Sequence, residues 1–132
     1  MNKIEVHDLP GGTLAYLGDS VFEVKVRQIL IEKGYTSCGV LNREALRYVT
    51  AVAQSKAAEK ILPLLDDEET AVYKRGRNAS GLSTPHSATQ SEYRRATGLE
   101  ALFGYLYLKG KTERIDLLFA VCANDIKNEG NV

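Results

Sequence analysis

The fold of this chain is decided by the stretch Leu14-Ala15-Tyr16-Leu17-Gly18-Asp19-Ser20-Val21-Phe22-Glu23. It predicts a helix that starts after an N-cap at Thr13, runs to about Lys33 and ends at Gly34. Apolar residues lie on both sides of this helix, which is typical of a central, buried element. One side carries Leu14, Leu17, Val21, Val24 and Ile31, and the other carries Ala15, Phe22, Val26, Ile29 and Leu30. We therefore expect Asp19 to be buried, and a buried carboxylate needs a partner or a metal ion.

A second apolar stretch, residues 96–108, also contains a single acid, Glu100. Each acid has a small neighbour, since Gly18 precedes Asp19 and Gly104 lies one helical turn after Glu100. If the two helices cross at these glycines, the carboxylates converge and either share a proton or bind a cation. Mg²⁺ prefers such oxygen ligands and can promote phosphodiester hydrolysis. The alternative is that each acid is an ordinary cap or a solvated residue.

Composition limits the other function classes. The chain of 132 residues suits one domain, residues 1–132. Its 17 basic and 17 acidic side chains give a formal net charge of zero, so overall charge offers no argument for a polyanion partner. Cys38 and Cys122 fit no metal or disulfide pattern, and we interpret them as free thiols in a reducing compartment. No apolar run has the length of a signal-peptide core or a membrane helix, so we expect a cytoplasmic protein without a membrane partner.

The rest of the pattern predicts helices and loops, because no convincing stretch alternates with the period of a strand. Further helices are expected over about 41–62 with a break near Ser55, over about 66–78, over about 90–108 and over 114–126. Asp66 or Asp67 can cap the third helix and Thr112 the last one, while residues 79–89 have the composition of a loop. The predicted fold class is all-α.

Basic residues cluster in one segment of this otherwise neutral chain. They are Lys74, Arg75 and Arg77, next to Asn78, followed by Arg94 and Arg95, with His86 in the polar loop between the two groups. Double-stranded RNA is recognised mainly through its phosphates and 2′-hydroxyls, for which such donors are suited. The alternative is a solvated helix end whose cations complement the helix dipole. Gln54 and Lys56 are weaker candidates for RNA contact, and neither His7 nor His86 has zinc-ligand spacing.

These motifs carry a family resemblance over nearly the whole chain. Leu17-Gly18-Asp19-Ser20-Val21 resembles the signature helix of the ribonuclease III catalytic domain, and residues 100–108 resemble its second acidic motif. The short length and Tyr73-Lys74-Arg75-Gly76-Arg77-Asn78-Ala79 resemble the Mini-ribonuclease III branch, which lacks a double-stranded RNA-binding domain. The resemblance implies a ribonuclease III endonuclease-domain-like helical bundle in which Asp19 and Glu100 are catalytic residues and ligands of Mg²⁺.

The same resemblance implies partners and a biological role. It implies a homodimer packed through the signature helices, with one site per subunit, that cleaves double-stranded RNA. The expected substrate is precursor large-subunit (23S) ribosomal RNA, and a ribosomal protein bound to that RNA is a further candidate partner.

Two positions depart from the pattern of the larger enzymes. Those enzymes have a glutamate where this chain has Ala15, and an aspartate where it has Thr97, which could assist only through its hydroxyl or a water. The thinned acidic cluster keeps a second hypothesis open, a non-catalytic RNA-binding or ribosome-assembly module on the same fold. A third is a helical protein-interaction domain that does not touch nucleic acid.

Overall fold

The computed structural model describes residues 5–80 and 88–129, with side chains through residue 124. Its α-helices are α1 (Gly11–Glu32), α2 (Cys38–Val49), α3 (Ala51–Ile61), α4 (Asp67–Arg77), α5 (Gln90–Leu108) and α6 (Thr112–Glu129), with short 3₁₀ helices at Val6–Asp8 and Leu62–Leu64. No strand occurs in these described residues, and the all-α prediction is confirmed.

Helix α5 lies at the centre and packs against α1, α3, α4 and α6. Its Leu99, Leu102, Phe103 and Leu106 are completely buried. The rings of Phe103 and of Phe22 from α1 pack edge to face, with their centroids 5.4 Å apart. Because α5 is surrounded, any side chain on it that is polar must either find a partner or point towards a gap between its neighbours.

Helix ends follow local capping chemistry. Asp66 and Glu69 form a capping box at the start of α4, which confirms the predicted cap, and α5 has the predicted bounds. Gly34 has a φ of +100°, a left-handed conformation that ends α1 as expected. The N-cap of α1 is Pro10, so the prediction of Thr13 was wrong by three residues.

The predicted second helix is in fact two helices. Thr50 has extended backbone angles (φ −68°, ψ 154°) between α2 and α3. Its hydroxyl accepts a hydrogen bond from the backbone N–H of Ala53, which makes it the N-cap of α3. The break therefore lies five positions before Ser55, where a residue with a capping hydroxyl could restart the helix.

Helix α1 is not buried on both sides. The side chains of Val24 and Ile31 are each 61% exposed and that of Tyr16 is 84% exposed. These three residues are separated by eight and seven positions, so they share one helical face. The prediction of a fully buried helix was wrong on that face, which carries an apolar stripe in contact with solvent.

A buried ion pair joins the beginnings of α4 and α6. The Glu69 carboxylate is 3% exposed and accepts hydrogen bonds of 2.8 Å from both Nε and Nη2 of Arg114. These bonds hold the pKa of Glu69 below its usual range. None of the helices in the described residues is long and apolar enough to cross a membrane.

Candidate active site

The first feature of the site is the close crossing of α1 and α5. A Cβ atom built on Gly18 would lie 1.6 Å from the carbonyl oxygen of Glu100, and one built on Gly104 would lie 2.0 Å from the carbonyl oxygen of Leu14. Both distances are far below van der Waals contact, so the two backbones touch at a point where only glycine fits. This crossing places the residue after Gly18 beside Glu100, as the two-glycine pattern predicts.

The side chains of Asp19 and Glu100 meet at this crossing. Their carboxyl groups are in hydrogen-bonding contact, and Glu100 is partly buried whereas Asp19 is exposed. Burial, followed by the contact with Asp19, raises the pKa of Glu100 to about 8. The prediction that Asp19 is buried was wrong, because this residue lies at the rim of the crossing, but the predicted convergence of the two carboxyl groups is observed.

A third side chain, Gln54 from α3, completes this cluster. It is 3% exposed, and its side chain is hydrogen-bonded to the Glu100 carboxyl. An ionised carboxylate can only accept, so the Gln54 amide N–H is the donor to ionised Glu100, and this bond lowers the pKa of Glu100. Gln54 therefore favours the ionised form of Glu100 while burial and Asp19 oppose it.

At the two positions where the larger enzymes have further acids, this chain has Ala15 and Thr97, which add no carboxylate to Asp19 and Glu100. Ala15 is 7% exposed and offers no ligand atom. The Thr97 hydroxyl donates to the carbonyl oxygen of Tyr93 at 2.9 Å, so its proton is already engaged within α5. Across the part of the chain that the structure describes, no group of three or more His, Cys, Asp or Glu side chains could hold a metal ion. The candidate metal ligands are thus the two carboxylates.

A basic groove lies between the end of α4 and the start of α5. It has a volume of about 590 Å³ and is lined by Leu62, Tyr73, Arg77, Asn78, Gln90, Ser91, Arg94 and Arg95. Four of the residues predicted to bind RNA are therefore brought together in one concave surface. Arg77 extends over the Tyr73 ring, with its guanidinium carbon 6.0 Å from the ring centroid.

The two arginines of α5 also hold the groove together. Arg94 donates to the carbonyl oxygens of Arg77 and Ala79 at 3.3 and 3.2 Å, which satisfies the open end of α4. Arg95 donates to the buried Ser55 hydroxyl and to the Ser91 hydroxyl, each at 2.7 Å. Arg94 and Arg95 therefore stabilise the walls of the groove and also contribute positive charge to it.

The remaining predicted RNA contacts are placed differently. Lys74 is exposed on α4 but does not line the groove. Arg75 points to the N-terminal segment and donates to the carbonyl oxygen of His7. His86 lies outside the described residues.

Sequence reasoning underestimated Gln54, which it gave only a weak role in RNA contact. The signal was available, because Gln54 shares the helical spacing of Ala57, Ala58 and Ile61, all of which are buried. A polar residue at a position of the apolar face indicates a buried partner.

Comparison with known proteins identifies the family to which this chain belongs. The family model for the ribonuclease III domain matches residues 12–111, which include both acids. A Mini-ribonuclease 3 from Symbiobacterium thermophilum is 47% identical over 119 residues, covering 90% of this chain and 92% of that protein. The chain belongs to the Mini-ribonuclease III branch of the ribonuclease III family. A further member of the branch, from Enterococcus faecalis, is 40% identical over 120 residues, covering 89% of this chain and 91% of its own length.

The fold agrees with this membership. A crystal structure of a protein from Fusobacterium nucleatum, 37% identical in sequence, superposes with a TM-score of 0.80 and covers 86% of this chain and 93% of that one. The ribonuclease III-like helical bundle is thus confirmed. As a Mini-ribonuclease III the chain is an endoribonuclease, which makes the non-catalytic module and the protein-interaction domain the weaker hypotheses.

Proposed function

We propose that this Mini-ribonuclease III is a Mg²⁺-dependent endonuclease for double-stranded RNA, in which Asp19 and Glu100 are the catalytic residues and hold the metal ion. The observation that carries the proposal is the contact between these two carboxyl groups where α1 and α5 cross at Gly18 and Gly104. A protein does not hold two acids together against their repulsion without a compensating charge or proton.

The donor set fits a hard divalent cation. Two carboxylates supply only oxygen ligands, and Mg²⁺ in phosphate-processing sites commonly takes one or two carboxylates, with waters and substrate phosphate completing its shell. Exposure of Asp19 leaves room for those other ligands on the solvent side. A bound Mg²⁺ would supply an activated water for phosphodiester attack and charge stabilisation for the departing oxygen. The raised pKa of Glu100, about 8, means that below this pH a proton competes for the same carboxylate.

The basic groove supports a duplex RNA substrate. Arg77 and Asn78 lie where α4 ends, and Arg94 and Arg95 lie in the first two turns of α5, the helix that carries Glu100. Arg95 and Glu100 are five residues apart on one rigid helix, about 7.5 Å along its axis. Phosphates bound in the groove would therefore be held at a set distance from the carboxyl pair.

The apolar stripe of α1 supports a homodimer. Tyr16, Val24 and Ile31 are exposed on one face, and Leu46 from α2 is 58% exposed. An exposed apolar face of this kind is typical of a protein interface. We propose that a second copy of the chain covers this apolar face. The dimer would then have one catalytic site per subunit, and each site would cleave one strand of the duplex. The experiment is sedimentation of the wild type and of Val24→Asp, with a dimer and a monomer expected; a monomeric wild type would overturn this part.

The biological setting follows from the family resemblance. We propose a cytoplasmic enzyme with a single catalytic domain over residues 1–132 that matures precursor large-subunit ribosomal RNA, alone or with a ribosomal protein bound to that RNA. The test compares the cleavage products of a precursor 23S transcript with those of an unrelated duplex, each with and without ribosomal proteins. Equal, unpositioned cutting of both RNAs would argue against this substrate.

The catalytic proposal is tested by cleavage of a labelled RNA duplex in Mg²⁺ and in a chelator. The wild type should cut only with Mg²⁺, and Asp19→Asn and Glu100→Gln should each reduce the rate by at least about 100-fold. Glu113→Gln is the matched control, since Glu113 is an exposed acid in the first turn of α6. Undiminished cutting by both site variants would refute the metal site, and no cutting by the wild type would favour a non-catalytic RNA binder.

A further inference from the structure

Two consecutive polar residues of α3 are buried against α5. Gln54 is 3% exposed and Ser55 is 2% exposed, although the neighbouring buried residues on this face are Ala57, Ala58 and Ile61. Burial of an amide or a hydroxyl is unfavourable unless each group gains a hydrogen bond. Both do so on α5, and in each case the partner is an ionisable side chain.

The two hydrogen bonds reach different functional parts. Gln54 bonds to the carboxyl of Glu100. Ser55 accepts a hydrogen bond of 2.7 Å from Nε of Arg95, which lines the basic groove. Helix α3 therefore connects separately to the carboxyl pair and to the groove, through adjacent residues.

The position of Gln54 is itself fixed by the start of α3. The Thr50 side chain accepts from the N–H of Ala53 at 3.2 Å, and the Thr50 carbonyl oxygen accepts from the N–H of Gln54 at 2.9 Å. Gln54 thus lies in the first turn, just after a capped end, with little freedom of its backbone. A side chain that is buried and anchored in this way can restrict the rotation of the group to which it donates.

From these contacts we infer that Gln54 is a positioning residue, whose amide holds the Glu100 carboxylate in the orientation that binds the divalent cation. This inference rests on the proposed metal site. A carboxylate has about four lone-pair positions, so one bond from Gln54 leaves acceptors free for an ion shared with Asp19. Without Gln54, the Glu100 carboxyl loses the buried donor that fixes its rotation, and metal binding must first restrict that rotation.

The experiment measures binding of Mn²⁺ alone, by electron paramagnetic resonance of the free ion, to the full chain without RNA. Gln54→Met keeps the length and the apolar volume of the side chain but removes the donor. We expect its dissociation constant for Mn²⁺ to rise about tenfold, as for other residues that orient a metal ligand. The Mg²⁺ concentration that gives half-maximal cleavage should rise by a similar factor.

Ser55→Ala is the matched control, because it removes a buried hydrogen bond one residue away that goes to Arg95 instead of Glu100. Its Mn²⁺ affinity should equal that of the wild type, although its RNA affinity should fall. Gln54→Asn, which keeps an amide but is one methylene too short, serves if Gln54→Met does not fold, and it should weaken Mn²⁺ binding as well.

The outcomes separate this inference from the proposed function. Wild-type Mn²⁺ affinity in folded Gln54→Met or Gln54→Asn, together with lost affinity in Glu100→Gln, would overturn the role of Gln54 alone. Equal loss in Ser55→Ala and Gln54→Met would also overturn it, because a general loosening of α3 would then explain both. Undiminished affinity in Glu100→Gln would instead refute the metal site itself.

Discussion

Replacing Glu100 by glutamine should remove a pH dependence from the folding stability of this protein. The pKa of Glu100 is raised from its ordinary 4.5 to about 8 in the folded chain, first by burial and then by Asp19. Between these two pH values the folded protein keeps a proton that the unfolded chain has released. Stability therefore falls as the pH rises through this window and is restored as the pH falls.

The size of the effect follows from the width of the window. Each pH unit between 4.5 and about 8 corresponds to about 1.4 kcal/mol of unfolding free energy. Asp19 is exposed, so water screens part of the repulsion, and we expect a total of about 2–4 kcal/mol between pH 5 and pH 8. Glutamine has nearly the same shape and no charge, and Glu100→Gln should therefore be the more stable protein at pH 8 when no metal is present.

The assay is urea denaturation with a chelator at several pH values, at one protein concentration, for the wild type and Glu100→Gln. The difference between their unfolding free energies isolates this carboxyl group from all others. Addition of Mg²⁺ at pH 8 should stabilise the wild type and leave the variant nearly unchanged, because a ligand of the folded state adds its binding free energy. A difference that stays constant from pH 5 to pH 8 would refute the coupled pair.

Three other changes test the packing, the buried ion pair and the groove. Gly18→Ala should lower the unfolding free energy by about 3 kcal/mol or more, since its Cβ has no space, whereas Gly12→Ala, with nothing within 4 Å, should raise it by about 0.5 kcal/mol. Arg114→Met should cost about 3 kcal/mol at neutral pH by leaving the buried Glu69 carboxylate unpaired, and less at low pH, where Glu69 takes up a proton. Arg77→Ala should weaken binding of duplex RNA and reduce the slope of log affinity against log salt by about 1.

One exposed residue provides the control for the two arginine variants. Arg43 lies 3.9 Å from Glu44 on α2, where the ion pair is exposed on the arginine side. Arg43→Ala should change stability by less than about 1 kcal/mol and leave the salt slope of RNA binding unchanged. Equal melting temperatures for Gly18→Ala and Gly12→Ala would contradict the packing argument. Equal melting temperatures for Arg114→Met and Arg43→Ala would contradict the ion-pair argument. An Arg77→Ala salt slope equal to that of Arg43→Ala would remove Arg77 from the RNA surface.

Local chemistry made much of this fold predictable. Helix α5 has the predicted bounds because Thr89 and Glu92 form a capping box and Gly110, at a φ of +70°, ends it. The start of α4 followed from Asp66 in the same way. Such features depend on residues within one or two turns, so they can be read without knowledge of the rest of the molecule. The break at Thr50 was predicted five residues too late, near Ser55. A threonine within an apolar pattern is only a weak indication that one helix ends and another begins.

The carboxyl pair was predictable in part. A glycine beside each acid indicated that two helices could approach closely, and Gly18 and Gly104 do form that contact. The burial of each acid was not predictable in the same way. Asp19 and Glu100 sit in similar apolar stretches, but the crossing encloses one of them and leaves the other at its rim.

The sequence by itself therefore determined which residues could form helices, where most of those helices begin and end, and which acids could meet. Only the tertiary structure decided that Gln54 joins Glu100, that Arg75 faces the N-terminal segment while Arg77 lines the groove, and that one face of α1 remains open. The physical reason is the separation along the chain over which each interaction acts. Capping and helical periodicity act between residues a few positions apart, whereas burial, the pKa of Glu100 and the partner of each polar side chain depend on helices that are distant in sequence and adjacent only in space.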